Sequence, residues 1–320
     1  MDWRSIQRKN FIRIEALCDF LALDKEHRSR VLSAPRFSLN IPFRLAEKMA
    51  KNTLDDPLFR QFVPLQEELA IVPGFTPDAV EEGRARKERK LLHKYPGRAL
   101  LLCTSACAMN CRFCFRQHFD YETAEKSYET ELAAIAQDPS LKEIILSGGD
   151  PLSLSNATLK ELFCGLAAID HVTLLRFHTR FPLGIPERID TGFLELLAAT
   201  RLQVWMVIHC NHPRELDHDV LRALKTVQKQ GVPILNQAVL LRGVNDTFET
   251  QKALNERLAD HGIFSYYLHQ LDRVEGTAHF EVTQEEGLAL IQSLRACLPG
   301  YAVPRYAAEI PGRLSKTILA

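Results

Sequence analysis

The chain contains 320 residues, of which 46% are hydrophobic, 25% are charged and 8% are aromatic. This composition is typical of globular proteins, and the length suits one large domain with or without an appendage. Forty Lys and Arg residues balance forty Asp and Glu residues, so the basic excess typical of nucleic-acid-binding proteins is missing. Because no apolar run approaches the roughly 20 residues of a membrane span, we also expect no membrane association.

The N-terminal sequence lacks the apolar segment of a secretory signal. We therefore expect a cytoplasmic location, where the eight cysteines stay reduced. In that compartment, clustered cysteines bind metals or take part in catalysis more often than they form disulfides.

Residues 1–95 are predicted to form a mainly helical region. Apolar residues recur at helical spacing in segments 14–21 and 42–49, and proline-containing turns follow at 55–57 and 72–77. The charged segment 81–90 contains glutamates among its basic residues. It is therefore interpreted as a solvated helix face or linker rather than a nucleic-acid patch.

From Arg98 onward, short apolar runs alternate with amphipathic segments about six times. The predicted strands are residues 99–103, 143–147, 172–177, 203–208, 233–240 and 264–269, and the predicted helices are residues 130–137, 158–168, 193–199, 219–230, 250–261 and 284–298. This alternation predicts an α/β fold with a parallel sheet over residues 96–300. Six units are too few for a closed eight-stranded barrel, so an open partial barrel and a doubly wound sheet both fit.

Polar and reactive residues follow each predicted strand. They are Cys107, residues 147–150, 179–180, 209–212, 242–246 and 271–272. Because ligands of parallel α/β folds bind at the carboxyl ends of the strands, this pattern predicts an active site at that rim.

Three cysteines, Cys107, Cys111 and Cys114, lie four and three residues apart. Three thiolates at this spacing fit a cubane iron–sulfur cluster, which normally takes four, so one iron stays open to a substrate or cosubstrate. The alternative is a zinc-stabilised binding protein without catalytic activity. Its fourth ligand would be Cys103 or His118, and neither completes a familiar structural zinc spacing.

The remaining cysteines and two histidines receive other interpretations. Four cysteines are predicted to pack in the core, since no second metal-site spacing links them; they are Cys18, Cys103, Cys164 and Cys210. His209 and His212 are predicted to form hydrogen bonds at the pocket rim rather than to bind a metal.

The cysteine spacing, with an aromatic residue before the last cysteine, resembles the signature of radical S-adenosylmethionine enzymes. Further segments resemble lysine 2,3-aminomutases: residues 93–95, 114–116, 147–152, 209–213, 236–246, 266–280 and 310–316. The resemblance extends from about Asp55 to the end. Within the family, the chain looks most like the shorter enzyme that makes (R)-β-lysine for the modification of bacterial elongation factor P.

This resemblance implies a partial (βα)6 barrel and an isomerase that moves the amino group of L-lysine from C2 to C3. The three cysteines would hold a [4Fe-4S] cluster, whose open iron binds S-adenosylmethionine. Residues lining its methionine end would be Ser147, Gly148, Gly149 and Asp150, with Gln237 a weaker candidate. The adjacent glycines permit close approach of the backbone to a ligand.

A second cofactor, pyridoxal phosphate, is implied by the segment 301–320. Lys316 occupies the position of the family lysine that forms a Schiff base with it, although Arg313, Leu314 and Ser315 depart from the glycine-rich family segment. Arg176 and Arg180 are candidates for binding its phosphate, because arginine donates two parallel hydrogen bonds.

The substrate residues also follow from the resemblance. Arg116 would pair with the carboxylate of the amino acid, and Asp272 and Glu309 with the side-chain ammonium of lysine. The family usually has aspartate where Glu309 stands, and arginine remains an alternative substrate. The chain stops four residues after Lys316, which favours the elongation factor P version. The implied partners are an electron donor such as flavodoxin or ferredoxin and an elongation factor P ligase.

Overall fold

The computed structural model describes residues 2–121 and 127–320, and these form one ten-stranded sheet with helices around it. The helices are α1 (Trp3–Gln7), α2 (Ile14–Phe20), α3 (Lys25–Arg30), α4 (Phe43–Glu47), α5 (Pro57–Phe62), α6 (Glu129–Gln137), α7 (Asn156–Ala167), α8 (Phe181–Gly184), α9 (Thr191–Ala199), α10 (His218–Gln228), α11 (Phe248–Asp260) and α12 (Gln284–Cys297). The strands are β1 (Arg86–Glu88), β2 (Leu91–Tyr95), β3 (Arg98–Thr104), β4 (Glu143–Gly148), β5 (Leu174–Thr179), β6 (Gln203–His209), β7 (Ile234–Val239), β8 (Phe264–His269), β9 (Arg305–Ala308) and β10 (Thr317–Ile318).

The strands lie in the sheet in the order in which they occur along the chain. Neighbouring strands from β3 to β9 are parallel, whereas β1, β2 and β10 pair in antiparallel fashion at the two edges. A doubly wound sheet would reverse its strand order at a switch point. The unreversed order therefore selects the open partial barrel, and α6, α7, α9, α10, α11 and α12 supply its six crossovers.

The six predicted strands correspond to β3 to β8, and the α/β prediction is confirmed. The prediction missed the short strands β1, β2, β9 and β10, which add the two edges. The charged segment 81–90 differs from the expected helix face or linker: residues Glu82–Ala85 form a 3-10 turn and β1 follows directly. In this turn Glu82 is buried.

Several helices begin where a side chain accepts a hydrogen bond from a free backbone N–H of the first turn. Ser155 caps α7, Asp190 caps α9 and Asp217 caps α10 in this way. Such caps stabilise a helix by about 1 kcal/mol each. They fix the positions at which the crossovers leave the rim.

The two faces of the barrel wall differ in character. Phe177 on β5 packs against Phe163 of α7 and Phe193 of α9, with ring centroids 5.7 and 5.8 Å apart. Because side chains alternate along a strand, Arg176 and His178 face the opposite side. The barrel interior is thus lined in part by polar groups, and the apolar core lies between sheet and helices.

Cysteine burial follows the prediction with one correction. Cys18, Cys103 and Cys210 are buried, but Cys164 is exposed, because it lies on the solvent side of α7 rather than on the stripe that packs against the sheet. All eight cysteines are free. No helix within residues 2–121 and 127–320 is long and apolar enough to cross a membrane.

Candidate active site

The loop after β3 carries the three clustered cysteines. Burial raises the pKa of Cys107 and Cys111, and it raises that of Cys114 to about 11. The charge of a neighbouring cysteine also raises the pKa of Cys107 and that of Cys114, so the three thiols lie near one another. The three cysteines are half-buried, burial disfavours their thiolate forms, and a metal cluster would supply a positive charge that favours those forms.

The N-terminal helical region holds this loop in place. Asn40 Nδ2 donates to the carbonyl of Cys107 over 3.1 Å, and Asn10 Nδ2 donates to that of Ala108 over 2.8 Å. Arg112, between the second and third cysteines, forms a buried bidentate pair with Glu68. Sequence reasoning missed this clamp, because residues far apart in the chain form it.

The three cysteines are consistent with a cubane cluster. Among the described residues, no three His, Cys, Asp or Glu side chains converge on a single-ion site. In a cubane each thiolate binds a different iron, so its ligands stand farther apart than those of a tetrahedral zinc. Cys103 Sγ donates to the carbonyl of Leu101, and His118 Nε2 lies 3.2 Å from that of Glu275. Neither joins the three cysteines as a fourth ligand.

Arg180 lies beside this loop. Its Nη1 donates to Cys111 Sγ over 2.9 Å, and its Nη2 donates to Glu215 and Gln61. This places Arg180, a candidate for the phosphate of pyridoxal phosphate, at the cysteine end of the site. Arg176 pairs instead with Glu143 at the start of β4, over 2.9 Å.

The glycines after β4 leave room for the backbone of the cysteine loop. Gly148 has φ +122°, and a Cβ there would come 2.4 Å from the carbonyl oxygen of Thr104. A Cβ on Gly149 would come equally close to that of Ala106. The backbone that lies close to the two glycines is thus that of the protein itself, in the residues directly before Cys107.

Asp150 joins the ends of two strands. Its carboxylate accepts hydrogen bonds from Thr179 Oγ1 and from the backbone N–H groups of Leu152, Arg180 and Phe181. The carboxylate is therefore engaged by the protein.

Arg116 connects the cysteine loop to the interior. Its Nε and Nη2 donate to the two carboxylate oxygens of Glu82 over 2.6 Å each, and its Nη1 donates to Ser147 Oγ and the carbonyl of Gly148. Four of its five N–H groups are thus engaged within the protein. Glu82 was not predicted, because the charged segment around it indicated solvent exposure.

A second group of charged residues surrounds Lys316. Its Nζ lies 2.7 Å from Glu309 Oε2, and Glu309 also accepts from Lys94 and from the hydroxyl of Tyr95. Burial alone would raise the pKa of Glu309, but Lys316, Lys94 and Tyr95 lower it to about 2. Glu309 is thus an ionised carboxylate that two lysines of this chain share.

Asp272 differs from Glu309 in having no cation bound to it. Within the described part of the chain its carboxylate makes no hydrogen bond or ion pair, and burial raises its pKa to about 7 although Lys316 acts in the opposite direction. Asp272 is half-buried, and a partly desolvated carboxylate without a partner is costly. An incoming ammonium would relieve this cost.

The barrel interior between the two groups holds unsatisfied polar atoms. Within residues 2–121 and 127–320, Arg176 Nε, His178 Nε2 and His209 Nε2 are buried without a hydrogen-bond partner. Burial lowers the pKa of His209 to about 3 and lowers that of His178 well below its usual range, so both imidazoles are neutral. Gln237 lies level with His209 in the sheet. Buried polar atoms without a partner suit contact with a polar ligand.

The structure thus divides the predicted site residues into two groups. One group surrounds the cysteine loop and includes Ser147, Asp150 and Arg180, and the other surrounds Lys316 and includes Asp272 and Glu309. His178 links them, since both Lys316 and Arg116 lower its pKa further. Lys94 and Tyr95, missed as site residues, lay in a segment that the family resemblance already covered.

Comparisons with known proteins agree with this geometry. The model of the Radical SAM superfamily matches residues 101–250, from β3 into α11. An L-lysine 2,3-aminomutase of Escherichia coli (strain K12) is 43% identical over 286 residues, which cover 88% of this chain and 83% of that protein. An L-lysine 2,3-aminomutase of Haemophilus influenzae is 39% identical over 323 residues, which cover 100% of this chain and 96% of that protein.

Among solved structures, a radical SAM methyltransferase from Sphaerobacter thermophilus aligns with a TM-score of 0.48 and 21% identity, over 68% of each chain. The two L-lysine 2,3-aminomutases are far more similar in sequence and match over most of their length. The chain therefore belongs to the lysine 2,3-aminomutase family of radical S-adenosylmethionine isomerases.

Proposed function

We propose that this chain converts L-α-lysine to β-lysine with a [4Fe-4S] cluster, S-adenosylmethionine and pyridoxal phosphate. The observation that carries the proposal is that one open barrel holds both the cysteine loop and the charged residues around Lys316, with the unpaired Asp272 near Lys316. Relatives named L-lysine 2,3-aminomutase support the same reaction.

Cys107, Cys111 and Cys114 would hold the cluster, and residues 147–150 with Gln237 would line the site for S-adenosylmethionine. When bound and reduced, the cluster supplies one electron that cleaves S-adenosylmethionine to a 5′-deoxyadenosyl radical. The protein holds the loop through Asn40 and Arg112 and keeps the interior imidazoles neutral. The chain thereby orients the reactants and excludes a competing proton donor.

Lys316 would hold pyridoxal phosphate, which supplies a carbonyl carbon to carry the migrating amino group. Glu309 keeps the Lys316 amine at a fixed point at the pocket wall. Arg176 has a buried, unpaired Nε that faces the interior, and this supports it as a phosphate ligand. Arg180, also proposed for that role, likewise has a buried, unpaired Nε, but it has fewer free donors because Cys111, Glu215 and Gln61 engage it.

The substrate would lie between Arg116 and Asp272. The remaining N–H of Arg116 would bind the α-carboxylate, and Asp272 would accept the ε-ammonium. Glu309 stands nearby but already accepts from Lys316 and Lys94, so Asp272 carries most of the selection for a cationic side chain. Exchange of Asp272 for Ala should reduce kcat/KM for lysine by more than tenfold, because a charge-assisted contact of about 2 kcal/mol is lost.

The test is anaerobic reconstitution with iron, sulfide, S-adenosylmethionine, pyridoxal phosphate and a panel of amino acids, with products resolved by chiral chromatography. The brown protein should contain about four irons per chain, and borohydride should attach the pyridoxyl group to Lys316. Colourless protein with stoichiometric zinc would contradict the cluster. A label on another lysine would contradict the Lys316 assignment.

Arginine as substrate remains the second candidate, because Asp272 would also accept a guanidinium. The amino-acid panel separates the two substrates directly. Retained lysine kinetics in the Asp272→Ala variant would contradict the substrate assignment, whichever amino acid reacts fastest.

We further propose the (R) product, an external one-electron donor such as flavodoxin or ferredoxin, and a supply of β-lysine to an elongation factor P ligase. The resemblance of residues 55–320 to the shorter family enzyme supports this role. Deletion of the gene should leave elongation factor P without β-lysine by mass spectrometry of the intact protein. Unchanged modification would contradict the role but not the reaction.

A further inference from the structure

We propose that Arg180 is a positioning residue that donates a charge-assisted hydrogen bond to the sulfur of Cys111 and raises the reduction potential of the cluster. The inference rests on the proposed function, since it takes Cys111 as a cluster ligand. It gives Arg180 a role different from phosphate binding.

The guanidinium is held in a single orientation. Nη1 lies 2.9 Å from Cys111 Sγ, while Nη2 lies 2.7 Å from Glu215 Oε2. The rings of Phe62 and Phe113 flank the guanidinium, with centroids 4.7 and 5.3 Å from its central carbon. Only 6% of Arg180 is exposed. Nε of Arg180 is buried without a partner, but the contacts of both Nη atoms and the two rings keep Nη1 directed at the sulfur.

The partner of Arg180 is itself fixed. Glu215 is completely buried, and its Oε1 accepts from the backbone N–H groups of Asn211 and His212. Glu215 therefore retains its own position with or without the cysteine loop. The positive end of the Arg180–Glu215 pair points at Cys111 and its negative end points away from it.

Such an arrangement favours the reduced cluster. Adding one electron increases the negative charge on the cluster and its thiolates, and hydrogen bonds to the sulfurs stabilise that charge. The effect is strong here because buried charges are poorly screened. Loss of Arg180 should therefore make the cluster harder to reduce by its external one-electron donor.

The test compares the full chain with Arg180→Gln, Arg180→Lys and Glu215→Gln variants, each reconstituted anaerobically without pyridoxal phosphate or S-adenosylmethionine. Midpoint potentials come from redox titration followed by electron paramagnetic resonance, with iron counted in each sample. We expect a negative shift for R180Q, a smaller negative shift for R180K, and a positive shift for E215Q, which removes the opposing charge. Arg222→Gln, which breaks an exposed ion pair with Asp219 on α10, should leave the potential unchanged.

Equal potentials in R180Q and the unchanged protein, at equal iron content, would overturn the proposal. Loss of iron from both Arg180 variants would also overturn it, because Arg180 would then support the loop rather than tune the cluster. Failure of the proposed function would give a different experimental result. An unchanged protein that holds zinc or no iron removes the cluster itself, whereas one that shows the redox couple without lysine turnover leaves the Arg180 result intact.

Discussion

The Lys316 ammonium lies 2.7 Å from Oε2 of Glu309, and the same carboxylate also accepts from Lys94 and Tyr95. Glu309 thus joins the segment after β9 to the end of β2. Glu309 therefore has a structural role within the chain in addition to any contact with a substrate.

Replacing Glu309 with Gln should destabilise the segment after β9 and slow the reaction of Lys316 with pyridoxal phosphate. The variant leaves Lys316 and Lys94 without their shared countercharge, and we expect a loss of about 2 kcal/mol in unfolding free energy, since the pocket is partly open to solvent. Borohydride trapping of pyridoxal phosphate on Lys316 should slow several-fold. Glu309→Asp retains the charge and should keep most of both properties. Equal trapping rates in the Gln and Asp variants would contradict this account.

The affinity for lysine should depend on pH through Asp272. Its pKa is about 7 because burial raises it, so the carboxylate that attracts an ammonium forms only as the pH rises through 7. KM for lysine should fall over that range in the unchanged protein. Asp272→Asn should give a higher KM that no longer changes there. Glu309, with its pKa lowered to about 2, does not titrate near neutrality, and an unaltered pH profile in the Asn variant would exclude Asp272.

The same shift has a consequence for stability. The folded chain keeps Asp272 protonated up to about pH 7, whereas the unfolded chain ionises it above about pH 4. The folded state therefore binds the additional proton between these values, and the contribution of Asp272 to stability falls as the pH rises from about 4 to about 7. The difference in urea unfolding free energy between the unchanged protein and Asp272→Asn should follow this direction.

The clamp on the cysteine loop can be tested through Glu68. Glu68→Gln removes the countercharge of the buried Arg112, at a cost of about 3 kcal/mol in urea unfolding, and should lower iron loading. Glu281→Gln is the matched control, because it breaks a pair with Arg273 whose side chain is 61% exposed. We expect less than about 1 kcal/mol there. Equal effects of the two changes would show that the clamp adds nothing.

A methyl group on Gly149 should displace the backbone before Cys107. In Gly149→Ala the new Cβ would come 2.4 Å from the carbonyl oxygen of Ala106, and we expect a loss of about 3 kcal/mol with reduced iron content. Gly300→Ala meets no atom within 4 Å and should change stability by about 0.5 kcal/mol or less. Full iron loading by the Gly149 variant would show that the loop adapts.

The sequence predicted the elements with strong local patterns. Apolar runs identified β3 to β8, and the cysteine spacing located the loop after β3. The edge strands were not predicted because β1 has three residues and β10 has two. These strands are too short to show an alternation of apolar and polar residues. A run of charges also concealed the buried position of Glu82.

Partners distant in the chain could not be found from local patterns either. Nothing near Arg112 in the sequence indicates its pair with Glu68, and Arg180 comes to Cys111 only because β5 ends beside the cysteine loop. Residue type suggested that Arg180 binds an anion. Its actual neighbours depend on the order of strands in the sheet, which the alternation of strands and helices left open.

The contact between Tyr95 and Glu309 joins residues 214 positions apart. Bringing together two residues so far apart in the chain is entropically unfavourable and slow. This entropic cost arises before the stabilising contacts between them can form. A growing polypeptide on the ribosome accordingly cannot form the group of charged residues around Lys316 until both edges of the sheet have been synthesised and brought together. Capture of a cofactor at Lys316 would then mark the last stage of maturation, and partly built chains would remain unloaded.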